Sequence, residues 1–481
     1  MAQDLKSKTI SGMIWSEVHR FGNMGISFVS NIVLARMLTP EDYGCIGMLA
    51  IFIVLSNTFV DGGFGSALIQ KKVPIQQDYS TIFWWNIFIS VLLYGLLYFS
   101  APFIAEFYHM PLLSSVLRVQ GVVLIINSLN IIQTNQLRKQ LKFKRLANVT
   151  IIAHIIAAIS AIGLAWKGCG VWALVAQQII ANTFISIMLW ILNKWLPDFY
   201  FSKESFKQLF GFGSFILISN LINTFCNNIQ GLLIGRFFSP ATMGYYTQAL
   251  KLEDISSKSF ASVVDQVSYP VLSKFQSDEC AMKSVLRKMV VALSYITFPL
   301  MLILILIAEP IITLLYGVKW IESVPYFQIL CVGGIAVSLQ GLYYFAVASK
   351  GKSKSLFVWT IIKRSLGLLI LFIGMYFYGI KGLLWGSAAA AWVILLSNAY
   401  LVSKYINYTF SEQLKDLIPI ILISFVIFIV LFSFEGLFVG NLYLEAFILL
   451  LLYILFYIVI SFCFKIKALY FFLEILQKLK K

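Results

Sequence analysis

Charge is scarce in this chain. Of its 481 residues, 12% are Asp, Glu, Lys or Arg, against about 25% in an ordinary soluble domain. There are 3 histidines and 6 cysteines, and the cysteines are scattered, with no Cys-x-x-Cys and no pairing with histidine. That leaves no spacing for a metal site and no pattern for a disulfide framework. Acids are the rarer charge, 21 against 37 Lys and Arg. No small-residue cleavage site follows the first apolar stretch. The opening MAQDLKSKTISGMIW is therefore expected to be a retained cytoplasmic tail rather than a signal peptide.

What fills the chain instead is apolar: 60% hydrophobic residues, including 41 Phe. Such a chain does not have water as its solvent. Its net charge of +16 would suggest nucleic acid in a soluble protein. Here the gathering of Lys and Arg in cytoplasmic loops accounts for it, and no nucleic-acid partner is expected.

Apolar windows fall near 10–35, 44–66, 80–103, 112–134, 147–166, 170–192, 209–235 and 243–273, then near 286–308, 323–347, 356–378, 382–402, 416–434 and 442–464. At about 20 residues per crossing these are about fourteen spans, and lipid allows only helix at such lengths. With the N-terminus inside, the outer loops hold only Arg36, Lys167, Arg236, Lys319 and Lys381. The inner ones hold most of the rest, including Lys71, Lys72, Arg138, Lys139, Lys142, Lys144, Arg145, Lys350, Lys352 and Lys354. A missed helix would scramble that asymmetry, so both ends are expected in the cytoplasm. The basic, apolar-interleaved tail after 464 reads as an interfacial amphipathic helix.

Two segments repeat at an offset of about 200 residues: NIVLARMLTPEDYG (31–44) and GLLIGRFFSPATMG (231–244). Arg36 matches Arg236, Pro40 matches Pro240, Gly44 matches Gly244 and, upstream, Asn23 matches Asn223. An even number of helices separates the copies, which predicts a parallel repeat about an axis along the membrane normal. The expected fold is an all-α polytopic membrane protein. It would have an N-terminal lobe (1–200), a C-terminal lobe (201–410) of six helices each, and a last helix pair with the basic tail (411–481). Two facing six-helix lobes are the plan of an alternating-access carrier.

The pieces LAR-x-L-TPEDYG (34–44), DGGFGSALIQKK (61–72) and DYSTIFWWN (78–86) resemble the N-terminal part of Wzx-type polysaccharide exporters. The likeness is greatest to the colanic-acid and teichuronic-acid branch of the multidrug/oligosaccharidyl-lipid/polysaccharide exporter superfamily. It is dense over about the first 140 residues; beyond them it rests on hydropathy, span count and the second repeat copy. The resemblance implies a fourteen-helix flippase of the bacterial inner membrane that moves undecaprenyl-pyrophosphate-linked oligosaccharide units for surface polysaccharide. It implies no catalytic motif and no cofactor. Lipid-linked oligosaccharide, membrane lipids, and the polymerase and glycosyltransferases of the same pathway are the implied partners.

A pyrophosphate and sugar head group needs a wet, cationic path through hydrocarbon. In the first span, Glu17 lies one turn from Arg20 and can pair with it, either to hold a phosphate ligand or to lock the helix in the bundle. In the eighth, Lys251, Asp254, Lys258, Ala261 and Asp265 recur every three or four residues, with Glu253 beside them. A central Lys or Asp costs about 2.5–3.5 kcal/mol even on the lenient insertion scale, so this stripe must avoid lipid. Lys258 is its leading candidate for phosphate contact, and a static pair with Asp254 or Glu17 is the alternative. Asn220, Asn223, Asn227 and Gln230 share a face of the seventh span. They could bind sugar hydroxyls or join the helix to a neighbour. Lys363 and Arg364 either snorkel to the interface or gather the head group at the inner mouth. Arg36 and Arg236 are expected to cap helix C-termini, the glycines after Asp61 to allow close packing or a hinge, and His154 to sit alone in packing. Glu17, Asp254 and Asp265 are candidates for a coupling ion, H⁺ or Na⁺.

Two other readings compete. A MATE-like drug/cation antiporter would be expected to have twelve helices and an acid-dominated lumen. A membrane polymerase or ligase would need a large outer loop, and every outer loop here is short.

Overall fold

The computed structural model describes residues 2–434, 442–466 and 468–469, which excludes most of the basic tail, so the amphipathic helix expected there lies outside the described residues. Every regular element among the described residues is helical. In chain order they are α1 (Ala2–Met37), α2 (Pro40–Asp61), α3 (Phe64–Gln70), α4 (Gln76–Phe107), α5 (Leu112–Gln120), α6 (Val122–Ser128), α7 (Ile131–Lys139), α8 (Phe143–Trp166) and α9 (Val171–Asn193). There follow α10 (Lys203–Phe237), α11 (Pro240–Lys274), α12 (Glu279–Leu306), α13 (Ala308–Tyr316), α14 (Ser323–Ser349), α15 (Ser353–Ile406), α16 (Phe410–Phe432) and α17 (Leu442–Cys463).

Nine of the described helices are long and apolar enough to cross a membrane, with α2 and α3 taken as one. Two bent pairs pass the same test when joined. Leu112–Ser128 meets Ile131–Lys139 at 41°, and Lys203–Gly211 meets Gly213–Phe237 at 50°. The fourth and seventh windows of the sequence are therefore broken rather than straight. The charge-bearing helices α1 and α11, of 36 and 35 residues, are long enough but are not among the nine. The 54-residue α15 is not one rod. Its backbone leaves helical geometry at Tyr378 and Gly379, where φ is +57° and glycine has no Cβ to obstruct it. The arms then run back along each other. A Cβ on Gly374 would strike the Gly382 carbonyl, one on Gly386 would touch Ile370 and Leu371, and one on Gly367 would touch Ala390. Two antiparallel spans meeting through small residues are what the windows at 356–378 and 382–402 predict.

The repeat copies begin their second helices in the same way. Thr39 caps α2, accepting from the Asp42 amide at 3.3 Å while Asp42 Oδ2 accepts from Thr39 N at 3.0 Å. Ser239 Oγ accepts from the Thr242 amide at 3.1 Å at the start of α11. A hydroxyl N-cap followed by proline satisfies the first free amides and sets φ for the first turn.

Two compact units emerge, residues 1–244 and 245–481. The division falls some forty residues later than the lobe boundary expected at 200/201. The physical reason lies in α10, which packs against α2, α3 and α4 and so joins the first unit. In that unit α1 lies on α8, and α8 on α9. In the second, α14 packs on α15 and on α12, while α16 packs on both α12 and α17. The last helix pair is thus built into the second unit and does not stand apart from it.

At one end of that unit Arg287 pairs bidentately with Asp416, Nε to Oδ2 at 2.5 Å, and Tyr408 donates to the same carboxylate at 2.7 Å. Burial and this bond hold the Tyr408 phenol well above its ordinary pKa. Lys283 pairs with Glu412 at 2.7 Å and Lys350 with Glu279 at 3.1 Å, so the ends of α12, α14 and α16 are joined by charge.

Candidate functional site

The motif 78–86 has a structural role that is visible residue by residue. The segment 194–202, which leads from α9 to α10, lies along the start of α4. Trp84 Nε1 donates to the Asp198 carbonyl at 2.9 Å, Ser80 Oγ accepts from Asp198 N at 2.9 Å, and Thr81 Oγ1 accepts from Ser202 N at 3.1 Å. Gln76 accepts from Trp195 Nε1 at 2.7 Å and donates to the Leu196 carbonyl at 2.7 Å. Phe83 sets its ring against Trp190 and Trp195, and Trp85 against Phe206. Asp78, fully buried, accepts from Lys71 Nζ and from the Ile75 amide. These residues form a clasp for the connecting segment. The Asp-Gly-Gly motif before it is a packing device: Gly62 and Gly63 both have positive φ, and Gly63 lies against the Gly213 backbone of α10.

Glu17 and Arg20 do approach each other, at 4.0 Å, with about a third of each side chain exposed. Arg20 also lies over the Phe21 ring. The matched asparagine Asn23 is bound to Thr150 of α8 at 3.2 Å. His154 is not alone, since it lies within electrostatic range of His19.

On α10 the amide face divides. Asn220, Asn223 and Asn227 are exposed, and the Thr224 side of the helix turns to α2, where Thr224 meets Thr58 at 3.4 Å.

The α11 stripe divides too. Lys251 and Lys258 are exposed, and Lys258 forms an ion pair with the half-exposed Asp254, the static partner anticipated for it. Asp265 turns elsewhere, lodging its carboxyl against Gly341 of α14. Glu253, beside the stripe in the sequence, is buried against Gly334 of the same helix.

Lys363 neither snorkels nor reaches a mouth. It is 5% exposed, donates to Asn398 Oδ1 at 2.7 Å, and lies 6.0 Å from the Tyr344 ring centre. Asn398 in turn donates to the Gln340 carbonyl at 3.2 Å, tying both arms of α15 to α14. Snorkelling fails because the side chain faces a neighbouring helix rather than lipid or water. Arg364 is half-buried.

Arg236 caps a helix C-terminus as expected, but that of α4: it donates to the Phe107 carbonyl at 2.7 Å and lies over the Phe107 ring. No cluster of three or more His, Cys, Asp or Glu fit to hold a metal occurs among the described residues.

Residues 33–325 match the family model described as polysaccharide biosynthesis protein. The chain belongs to that family. Within reach of it, the chain is 27% identical to teichuronic acid biosynthesis protein TuaB of Bacillus subtilis over 89% of each chain. It is 21% identical to lipopolysaccharide biosynthesis protein WzxC of Escherichia coli, again over 89% of each. Among solved structures, lipid II flippase MurJ in an inward closed conformation matches with a TM-score of 0.77 at 18% identity, covering 94% of this chain and 98% of that one. That likeness shows a shared fold of many packed helices. The exporter resemblance of the 34–44, 61–72 and 78–86 motifs is thereby upheld.

Proposed function

We propose that this family member is a flippase. It moves an oligosaccharide unit linked to a polyprenyl pyrophosphate from the cytoplasmic to the periplasmic leaflet of the bacterial inner membrane. The chain is a carrier, not an enzyme, and works beside the glycosyltransferases that build the unit and the polymerase that joins it. The reading rests on family membership together with one observation: α11 exposes Lys251 and Lys258, with Asp254 half-exposed beside them, on a helix long enough to span a bilayer. Lipid would not tolerate that face, whereas an anionic head group passing along it would match it.

Alternating access is the corresponding mechanism; α1 and α10 expose polar side chains in the first unit, and α11 exposes its own in the second. The Arg20 guanidinium and the Lys258 ammonium take the pyrophosphate in turn. Glu17 and Asp254 hold them in place and keep the path from trapping the anion. The amides of Asn220, Asn223 and Asn227 offer hydrogen bonds to sugar hydroxyls. Fourteen spans with both ends cytoplasmic is the topology supported by the nine apolar helices, the two bent pairs, the two arms of α15, and α1 with α11. The cargo's movement is coupled to H⁺ or Na⁺ through acids of α1 and α11.

Arg20→Ala and Lys258→Ala, inserted at normal levels in a strain lacking the native gene, are expected to stop surface polysaccharide and to accumulate lipid-linked units inside. Normal polysaccharide in both would overturn the cationic path. Drug resistance without any effect on polysaccharide would favour the antiporter.

A further inference from the structure

Two acids of α11 meet α14 in the same way. Glu253 is 5% exposed, and its Oε1 is buried with no hydrogen-bond partner among the described residues. It faces Gly334, where a Cβ would fall on Oε1 and lie 3.2 Å from the carboxyl carbon and 3.3 Å from Met301 Sδ. Twelve residues along α11, Asp265 has its Oδ1 buried and equally unpartnered, and a Cβ at Gly341 would overlap its carboxyl. Gly334 and Gly341 are seven residues apart and so lie on one face of α14. Each is a notch whose floor is bare backbone and whose content is a carboxyl group.

Little around Glu253 stabilises a negative charge: the Ser257 hydroxyl on its own helix is the one donor set against its burial. From α14 it is faced by the Cys331 thiol and from α12 by the Met301 thioether. The charged groups within electrostatic range on its own helix are Asp254 and Lys258, which are paired with each other; the Tyr246 phenol and the Ser257 hydroxyl are its remaining polar neighbours. For Asp265, no charged group of a neighbouring helix among the described residues is set against its burial. A buried carboxylate whose nearest cation is already paired with another acid is better carried neutral.

We propose that Glu253 is a proton-binding site of the second unit. Its carboxyl is carried neutral in the Gly334 notch and releases its proton to water only when α11 and α14 separate. Asp265 in the Gly341 notch is a second site of the same kind. The step forms one O–H bond from a carboxylate and an aqueous proton and breaks it again on release, with no other reactant. The proposal rests on the flippase reading only for what the proton serves, namely the coupling ion, and it moves that role from the exposed Asp254 to the hidden Glu253.

The test is infrared spectroscopy of the purified full chain in lipid nanodiscs at neutral pH. The wild type is expected to show the carbonyl stretch of protonated carboxylic acids, shifted on transfer to D₂O. Glu253→Gln should lose one component and Asp265→Asn another, while Asp254→Asn loses neither. Gly334→Ala, which keeps every acid but fills the notch, should shift the Glu253 component, and this gives a readout if E253Q fails to fold. Spectra identical in wild type, E253Q and G334A would overturn the proposal. A chain without the band that still exports polysaccharide would overturn the proton site and leave the carrier standing. The band present with no effect of the protein on polysaccharide would do the reverse.

Discussion

Gly44 and Gly244 each lie against the backbone of the other's helix start. A Cβ on Gly44 would collide with the Pro240 carbonyl, and a Cβ on Gly244 with the Pro40 carbonyl. The contact is reciprocal, residue for residue. The two copies of the Ser/Thr-Pro turn are therefore more than similar segments. They are each other's packing surface.

Any side chain at either position must push two helix starts apart. Gly44→Ala is expected to cost about 1–3 kcal/mol, the range for overpacking a filled contact, and Gly244→Ala the same. The double variant should cost less than their sum, because the first displacement makes room for the second. Thermal unfolding of the four proteins in one detergent measures all three quantities, and simple additivity would contradict the reciprocal contact.

The buried Lys363 makes its hydrogen bond to an amide rather than to a carboxylate. Lys363→Met keeps the volume and removes the charge, so it should be neutral or stabilising, as replacement of buried ions by apolar groups often is. Asn398→Leu leaves the ammonium unpaired and should destabilise by about 3–5 kcal/mol. Lys363→Met placed on Asn398→Leu should recover most of that loss, as read by the same unfolding assay. A loss of export in Lys363→Met with unchanged stability would instead restore it to the substrate path.

Trp84→Phe retains the ring against its neighbours and loses the bond to the Asp198 carbonyl, a cost of about 0.5–1.5 kcal/mol. Protease cutting within 194–202 should quicken in that variant, and more so with Ser80→Ala added. Unchanged cutting in the double variant would mean the clasp does not hold the segment.

Asp254→Asn removes the partner of Lys258 but not the cation. Export should fall less than in Lys258→Ala, and the two effects should not add, because they act on one pair. Glycan yield per inserted protein, measured on single and double variants, decides this.

Much of the architecture was legible in the sequence because lipid leaves a chain few choices. Apolar windows marked most of the long helices, and the matched segments 31–44 and 231–244 each enter a helix at a proline. The Glu17–Arg20 and Asp254–Lys258 pairs followed from helical spacing alone. What a linear pattern could not supply was the direction of a side chain relative to a second helix. Lys363 has the spacing of a snorkelling cation, and only the position of Asn398, on the far arm of α15, turns it inward. Glu253 looked like a bystander to the stripe because its notch is made by Gly334, eighty-one positions away. Glycine announces nothing about what will fill it. Nor does hydropathy, which counts spans, say that α10 will lie on α2.

That last packing has a consequence for how the protein is made. The face of α2 that α10 covers is complete in the chain when residue 61 leaves the ribosome, yet its partner begins at residue 203 and the Pro240 contact comes later still. Through the synthesis of seven intervening helices, that face must be held by lipid or by the insertion machinery. A nascent chain stopped short of residue 203 therefore carries an open seam along α2.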